Sequence, residues 1–87
     1  MRGSNAVVIA HELLHTLGAS DRYDLGTGLP QHPLGYAEPE RRPLHPQRLA
    51  EIMGGRIPLS ATRAEISRSL DQVILGNATA HEIRWLR

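Results

Sequence analysis

The sequence predicts a small, mainly α-helical single domain that needs a metal ion or a partner chain to stabilise it. The chain has 87 residues and no cysteine, so it can neither bury a large core nor form disulfides. Apolar residues near its start recur at helical spacing. Two later segments match the capping box that begins helices. These observations together favour helices joined by irregular connections.

Composition and charge exclude several classes of partner. Ten Arg and nine acidic residues give a net charge of +1, and the Arg residues are scattered. No basic stripe results, so we expect no nucleic-acid partner. No apolar run approaches the roughly eighteen residues of a membrane span, so we expect no membrane partner. Residues 1–4 resemble an expression leader, so we expect residues 5–87 to form a single small domain.

The first predicted helix runs from about Ala6 to Leu17, with Asn5 as its N-cap. Apolar side chains cover most of its circumference, which predicts burial on most sides. Gly18 stands where a left-handed residue ends a helix. A chain this short has little else to cover such a helix. We therefore expect a homodimer or a higher homo-oligomer.

An irregular loop is predicted for residues 22–46, which hold five of the six prolines. A short helix over residues 46–52 follows, with Pro46 at its first position. The Met53-Gly54-Gly55 segment then predicts a sharp turn.

The two capping boxes predict the C-terminal helices. Thr62 and Glu65 would begin a helix that ends at Gly76, although residues 71–75 fit a short strand equally well. Thr79 and Glu82 would begin a last helix from Ala80 to about Leu86. Ile83 and Leu86 would form its core side, with Trp85 as a core anchor.

The first helix carries the motif H-E-x-x-H at His11, Glu12 and His15. Residues four apart on a helix differ by roughly 40° in azimuth and about 6 Å in height, so both imidazoles can bind one ion. Glu12 projects to the side, towards a water molecule held by that ion. This arrangement is typical of zinc hydrolases whose Glu is the general base. Gly18 and Asp21 extend it to H-E-x-x-H-x-x-G-x-x-D.

The extended motif resembles that of the metzincin clan of zinc metallopeptidases, and its Asp resembles the third ligand of the snapalysin-like branch. The resemblance implies Zn²⁺ bound by His11, His15 and Asp21, with Glu12 as general base. It also implies a Met-turn with Met53 beneath the metal. It covers the lower subdomain, roughly residues 5–55, with the C-terminal helix as a further match.

The chain departs from the metzincin pattern in two respects. About five residues precede the helix, so the sheet that aligns an extended substrate is missing. Gly55 stands where some metzincins have a Tyr, which leaves Tyr23 or Tyr36 as a possible oxyanion donor.

Several residues keep alternative interpretations. Asp21 fits ordinary turn chemistry. Met53 fits the core, and both tyrosines fit packing roles. His32 or His45 could serve as an extra or replacement ligand. Mn²⁺ or Co²⁺ could occupy a His₂Asp site in place of zinc.

Three functional hypotheses follow from the motif and the small size. The first is a zinc-dependent hydrolase that resembles a minimal metzincin peptidase and acts on peptides. The second is a hydrolase of small esters or phosphoesters, because metal-assisted attack needs no strand pairing. The third is a structural zinc module or an inert fragment in which the ion serves to fold the chain.

Overall fold

The computed structural model describes residues 3–84, and the side chains from residue 5 onward. The predicted mainly α fold is wrong: the structure is mixed α/β, 29% helical and 20% strand. The last predicted residues of the final helix, Trp85 and Leu86, lie outside the described range. In chain order the elements are α1 (Gly3–Thr16), β1 (Ala50–Glu51), β2 (Arg56–Ser60), β3 (Arg63–Ile66), a 3₁₀ helix (Leu70–Gln72), β4 (Val73–Ile74) and α2 (Asn77–Arg84).

Helix α1 forms where it was predicted but begins earlier, so Asn5 lies inside the helix and does not cap it. Its end at Gly18 is confirmed. Gly18 has φ 103°, a conformation that favours glycine. The N–H of Gly18 donates to the carbonyl of His15, and the N–H of Ala19 donates to that of Leu14, both at 3.0 Å. This is the hydrogen-bond pattern of a glycine C-cap, and it turns the chain back towards the helix.

One side of α1 packs inward and the other is open. Val7 joins the buried cluster with Ala19, Ile52 and Met53, and Leu14 packs against it. Val8, Ile9 and Leu13 remain 60%, 54% and 61% exposed, so burial on most sides is not achieved within the described residues. The predicted homodimer or higher homo-oligomer stays a prediction. No described helix is both long and apolar enough to cross a bilayer.

The loop of residues 22–46 is irregular, as predicted, with isolated bridges at Tyr23–Pro30 and Tyr36–Ala50. It meets the Met53-Gly54-Gly55 turn at close range. A Cβ added to Gly54 would collide with the carbonyl of Gly35, so the two segments touch backbone to backbone. Glycine is required at this position because any side chain would separate the loop from the turn.

The short helix predicted for residues 46–52 is wrong, and β1 lies there instead. Strand β1 pairs in parallel with β4, Ala50 opposite Val73 and Glu51 opposite Ile74. The buried Gln47 side chain donates to the carbonyls of Glu38 and Leu44, at 2.8 and 2.9 Å. Both bonds hold Gln47 to the irregular loop that precedes it, so its side chain satisfies loop carbonyls and not a helix.

The helix predicted from Thr62 is also wrong. Strands β2 and β3 form an antiparallel hairpin, with Arg56 opposite Ile66 and an irregularity between Pro58 and Ser60. The N–H of Thr62 donates to Ser60 Oγ at 3.2 Å, so Thr62 belongs to the hairpin turn. Downstream, β4 confirms in part the alternative that residues 71–75 contain a strand.

Helix α2 begins at Asn77, earlier than predicted, and its capping box does not form. Thr79 is fully buried, and its hydroxyl donates to Glu51 Oε2 at 2.8 Å. Ile83 packs against the core cluster, as predicted.

A buried carboxylate joins β1, α2 and the turn after β1. Glu51 is 0% exposed. Its Oε1 accepts hydrogen bonds from the N–H groups of Met53 and Gly54, at 2.7 and 3.1 Å. Its Oε2 accepts from the N–H of Gly76 and the hydroxyl of Thr79, at 2.9 and 2.8 Å. A buried carboxylate is tolerated because all four donors point at it.

We predict that Glu51→Gln lowers the free energy of unfolding by about 2 kcal/mol or more. The amide NH₂ of Gln would replace one carboxylate oxygen, so either the N–H groups of Met53 and Gly54 or the N–H of Gly76 would lose their acceptor. Urea denaturation followed by circular dichroism measures the change. Glu65→Gln on exposed β3 is the matched control, expected within about 0.5 kcal/mol of the parent chain. Equal stability of the two variants would contradict the role of Glu51.

Candidate metal centre

The structure brings His11, His15 and Asp21 together at the C-terminal half of α1. Nε2 of His11 lies 3.1 Å from Nε2 of His15. Asp21 Oδ1 lies 3.1 Å from the first nitrogen and 2.9 Å from the second. The helix sets the histidine pair, and the turn at Gly18 brings Asp21 back towards it. The three atoms therefore form a nearly equilateral triangle.

Backbone carbonyls fix the orientation of both imidazoles. His11 Nδ1 lies 2.8 Å from the carbonyl oxygen of Ile52, and His15 Nδ1 lies 2.9 Å from that of Ala19. A carbonyl oxygen only accepts hydrogen bonds, so each Nδ1 carries the proton. In the neutral rings each Nε2 then has a free lone pair. This is how proteins orient histidines that bind metals.

Three electron-pair donors thus face one another at about hydrogen-bond distance. A proton on one histidine can bridge one pair of them, whereas a cation bound by all three satisfies every lone pair. Tetrahedral zinc with bonds of ~2.0–2.1 Å separates its ligand atoms by about 3.3 Å. The observed separations of 2.9–3.1 Å are close to that value. Two imidazoles and one carboxylate are also a ligand set that zinc accepts.

Glu12 lies next to this triangle. One of its carboxylate oxygens is within 4.8 Å of a ring nitrogen of each histidine. Because these ligand atoms all lie within 4.8 Å of one another, His11, Glu12 and His15 form an alternative ligand group that does not include Asp21. The set that includes Asp21 fits a single ion better, because its atoms are much closer together. Glu12 is then left as a neighbouring base, and its side chain is exposed to solvent.

The pKa of His15 is raised above its usual value. The largest cause is the hydrogen bond to the carbonyl of Ala19, which desolvation opposes and the carboxylate of Asp21 reinforces. The carboxylates of Asp21 and Glu12 both contribute negative charge near this ring and so act in the same direction.

A cleft of about 310 Å³ opens beside His11 and Glu12. Its walls come from α1, from the loop of residues 22–46, from the turn after β1 and from the β2–β3 hairpin: Val7, Val8, Tyr23, Gly28, Ile52, Gly54, Gly55, Arg56 and Ile66. The volume is at the lower end of the range of small-molecule sites. The walls are mostly apolar, so the polar groups in it are few and specific.

Met53 is fully buried, and the turn that follows it is confirmed. The backbone carbonyls at this turn contact residues of the candidate site. The carbonyl of Ile52 accepts from His11, and the carbonyl of Met53 accepts from the N–H of Arg22 at 2.8 Å. The turn therefore contacts both α1 and the segment that carries Asp21. Met53 itself belongs to the core cluster.

The two tyrosines differ in their access to the site. Tyr23 lines the cleft, with its ring centroid 6.3 Å from that of His11. The hydroxyl of Tyr36 instead lies 2.6 Å from His45 Nε2. His32 Nε2 bonds to the carbonyl of Pro39 at 3.0 Å. Of the two candidate oxyanion donors Tyr23 has the better position, and neither His32 nor His45 joins the metal-ligand group among the described residues.

Sequence reasoning missed the role of Glu82, which holds the chain on both sides of Asp21. Its Oε1 accepts from the N–H of Ser20 at 3.1 Å and lies 2.8 Å from Arg22 Nη2. Its Oε2 accepts from the hydroxyl of Ser20 at 2.7 Å. The partners are about sixty positions away, so no local pattern points to them, and the capping-box interpretation of Glu82 is wrong.

Desolvation pushes the pKa of Glu82 up, but the hydrogen bonds from Ser20 and the guanidinium of Arg22 together hold it below its usual value. A lowered folded-state pKa means that Glu82 stabilises the fold at neutral pH. This contribution is lost as the pH falls through the folded-state pKa.

Comparison of the chain with family models, with curated proteins and with solved structures gave no match.

We predict that Glu82→Ala lowers the free energy of unfolding by about 1–3 kcal/mol and loosens the Asp21 segment, because the donors of Ser20 and Arg22 lose their acceptor. Denaturation measures the free energy of unfolding, and amide hydrogen exchange of residues 19–22 measures the loosening of the segment. Glu40→Ala is the control, since Glu40 is exposed and makes no ion pair with the described residues. Unchanged exchange in residues 19–22 would refute the role of Glu82.

Proposed function

We propose that this chain is a zinc-dependent hydrolase in which His11, His15 and Asp21 bind the ion and Glu12 is the general base. The observation that carries the proposal is the triangle of lone-pair donors, whose two imidazoles are held by backbone carbonyls. The motif H-E-x-x-H-x-x-G-x-x-D and its resemblance to the metzincins support the same chemistry.

The proposed reaction is the hydrolysis of an amide or an ester. When bound, the ion acidifies water and polarises a carbonyl group. Glu12 accepts a proton from the attacking water as the water oxygen bonds to the carbonyl carbon. The C–N or C–O bond then breaks, and Glu12 passes the proton to the leaving group. Tyr23, at the edge of the cleft, is the candidate donor to the developing oxyanion.

The size of the cleft favours small substrates. About 310 Å³ holds a few residues of a peptide or a small ester. A short peptide or a small-molecule ester is therefore the substrate class we propose, and long unfolded proteins are the less favoured alternative. Comparison of turnover of a short peptide ester, a short peptide amide and casein ranks these possibilities.

We predict that the chain binds one zinc ion and that bound zinc raises its melting temperature. Zinc at a hundred times its dissociation constant adds about 2.7 kcal/mol, and each kcal/mol shifts the midpoint of a domain this small by about 4–8 °C. Elemental analysis gives the stoichiometry, and thermal scans with zinc or with a chelator give the shift. His15→Ala should abolish both effects, and His32→Ala should leave both intact. Failure of the parent chain to retain zinc would refute the proposal.

We predict that Glu12→Gln keeps the zinc and the fold but lowers kcat by about 10²–10⁴, the usual contribution of a general base. Circular dichroism verifies the fold and elemental analysis the zinc content. Hydrolysis of a short peptide ester measures kcat. Glu40→Gln is the matched control and should retain full activity. Zinc binding without any zinc-dependent turnover in the parent chain would instead favour the structural zinc module.

A further inference from the structure

The cleft beside the candidate metal centre contains a cation that has no ionic partner among residues 5–84. Arg56 begins β2 and lines the same cleft as His11 and Glu12. Its guanidinium makes no hydrogen bond or ion pair with any other described residue. The side chain is only half-exposed, so solvent does not fully replace a partner. An unpaired guanidinium among apolar walls is well suited to bind an anion.

The nearby acids do not neutralise Arg56. Asp24, in the loop that faces it, accepts from the N–H of Gly26 at 3.1 Å and from the hydroxyl of Thr27 at 3.0 Å. Glu65, in the strand paired with β2, has Arg68 as its closest cation, at 4.0 Å. Glu12 shares the cleft but forms no ion pair with Arg56. The positive charge therefore remains available to a ligand.

The loop leaves room for the guanidinium. A Cβ added to Gly28 would lie 2.9 Å from Nη1 of Arg56 and 3.1 Å from Cζ. Gly28 has φ 75°, so glycine is favoured there on two counts. The guanidinium packs against the backbone of Gly28, so a side chain at residue 28 would displace it from the cleft.

We propose that Arg56 binds a carboxylate of the substrate while the scissile group lies beside Glu12. The inference rests on the proposed function, because it names the substrate class of that site. A carboxylate pairs with the planar guanidinium through two parallel hydrogen bonds. The neighbouring apolar walls at Val8, Ile52 and Ile66 suit an aliphatic side chain next to it. The substrate is then a short peptide or acyl amino acid with an anionic end.

Two sources of the carboxylate are chemically equivalent at Arg56: a free carboxyl terminus and an acidic side chain. Three N-acetylated tripeptides distinguish them. The first, alanine-leucine-alanine, has a free carboxyl terminus, the second is the same peptide as its amide, and the third is an amide that ends in glutamate. Calorimetric titration of the full-length chain with each gives binding separately from turnover.

We predict that the peptide with the free carboxyl terminus binds about tenfold or more tightly than its amide, as expected for a charge-assisted hydrogen-bonded pair. Arg56→Gln should bring that ratio to about one. Arg56→Lys should keep an intermediate ratio, because it retains the charge but not the two parallel bonds. Arg63→Gln, on the neighbouring exposed strand, is the control and should leave the ratio unchanged. If the amide that ends in glutamate also binds tightly, Arg56 accepts the carboxylate of an acidic side chain as well as that of a free carboxyl terminus.

A carboxylate can also bind a metal directly, so the titrations are repeated with a chelator and with His15→Ala. Arg56-dependent preference that persists without zinc supports the inference even if the chain hydrolyses nothing. The inference is overturned if the preference for the free carboxyl terminus is lost when zinc is removed and is retained in Arg56→Gln. The carboxylate would then bind the metal, and the proposed function would still stand. Circular dichroism verifies the fold of each variant, and Arg56→Lys replaces Arg56→Gln as the decisive variant if the latter does not fold.

Discussion

The buried carboxylate of Glu51 is the interaction on which the rest of the structure depends. Both of its oxygens are far from water, so four donors must converge on them. Those donors come from the turn after β1, from the residue that precedes α2 and from α2 itself. The carboxylate therefore fixes how the C-terminal helix meets the turn that carries Met53. A chain with so few buried apolar side chains uses this polar connection where a larger domain would use its core.

Short chains of hydrogen bonds connect Glu51 to the candidate metal centre. The turn that Glu51 holds presents the carbonyl of Ile52 to His11 and the carbonyl of Met53 to the segment that contains Asp21. The helix that Glu51 holds presents Glu82 to the residues on either side of Asp21. The three atoms of the triangle thus depend on contacts from the middle of the chain and from its C-terminal helix. The positioning of the predicted ligands is a property of the whole fold, not of α1 alone.

The sequence predicted the structure correctly where the interactions join residues close together in the chain. The spacing of His11 and His15 and the glycine at residue 18 predicted the helix, its end and the approach of Asp21, since all of these follow from backbone geometry within a few residues. It failed where partners are distant. Thr62 and Thr79 have the spacing of helix caps, yet one belongs to a hairpin turn and the other contacts Glu51. Gly76 and Thr79 are 25 and 28 positions from Glu51, and Ser20 is 62 positions from Glu82, so no local pattern indicates these contacts.

The small core also explains why a bound ion would contribute to the stability of this chain. The apolar face of α1 is largely exposed, so hydrophobic burial by the described residues is modest. An ion bound by His11, His15 and Asp21 joins the helix to the segment after it, and both are already joined to the turn at Met53. Any ligand that binds only the folded arrangement adds its binding free energy to stability. Zinc binding and folding are therefore expected to be coupled, and variants that loosen the Asp21 segment should weaken both.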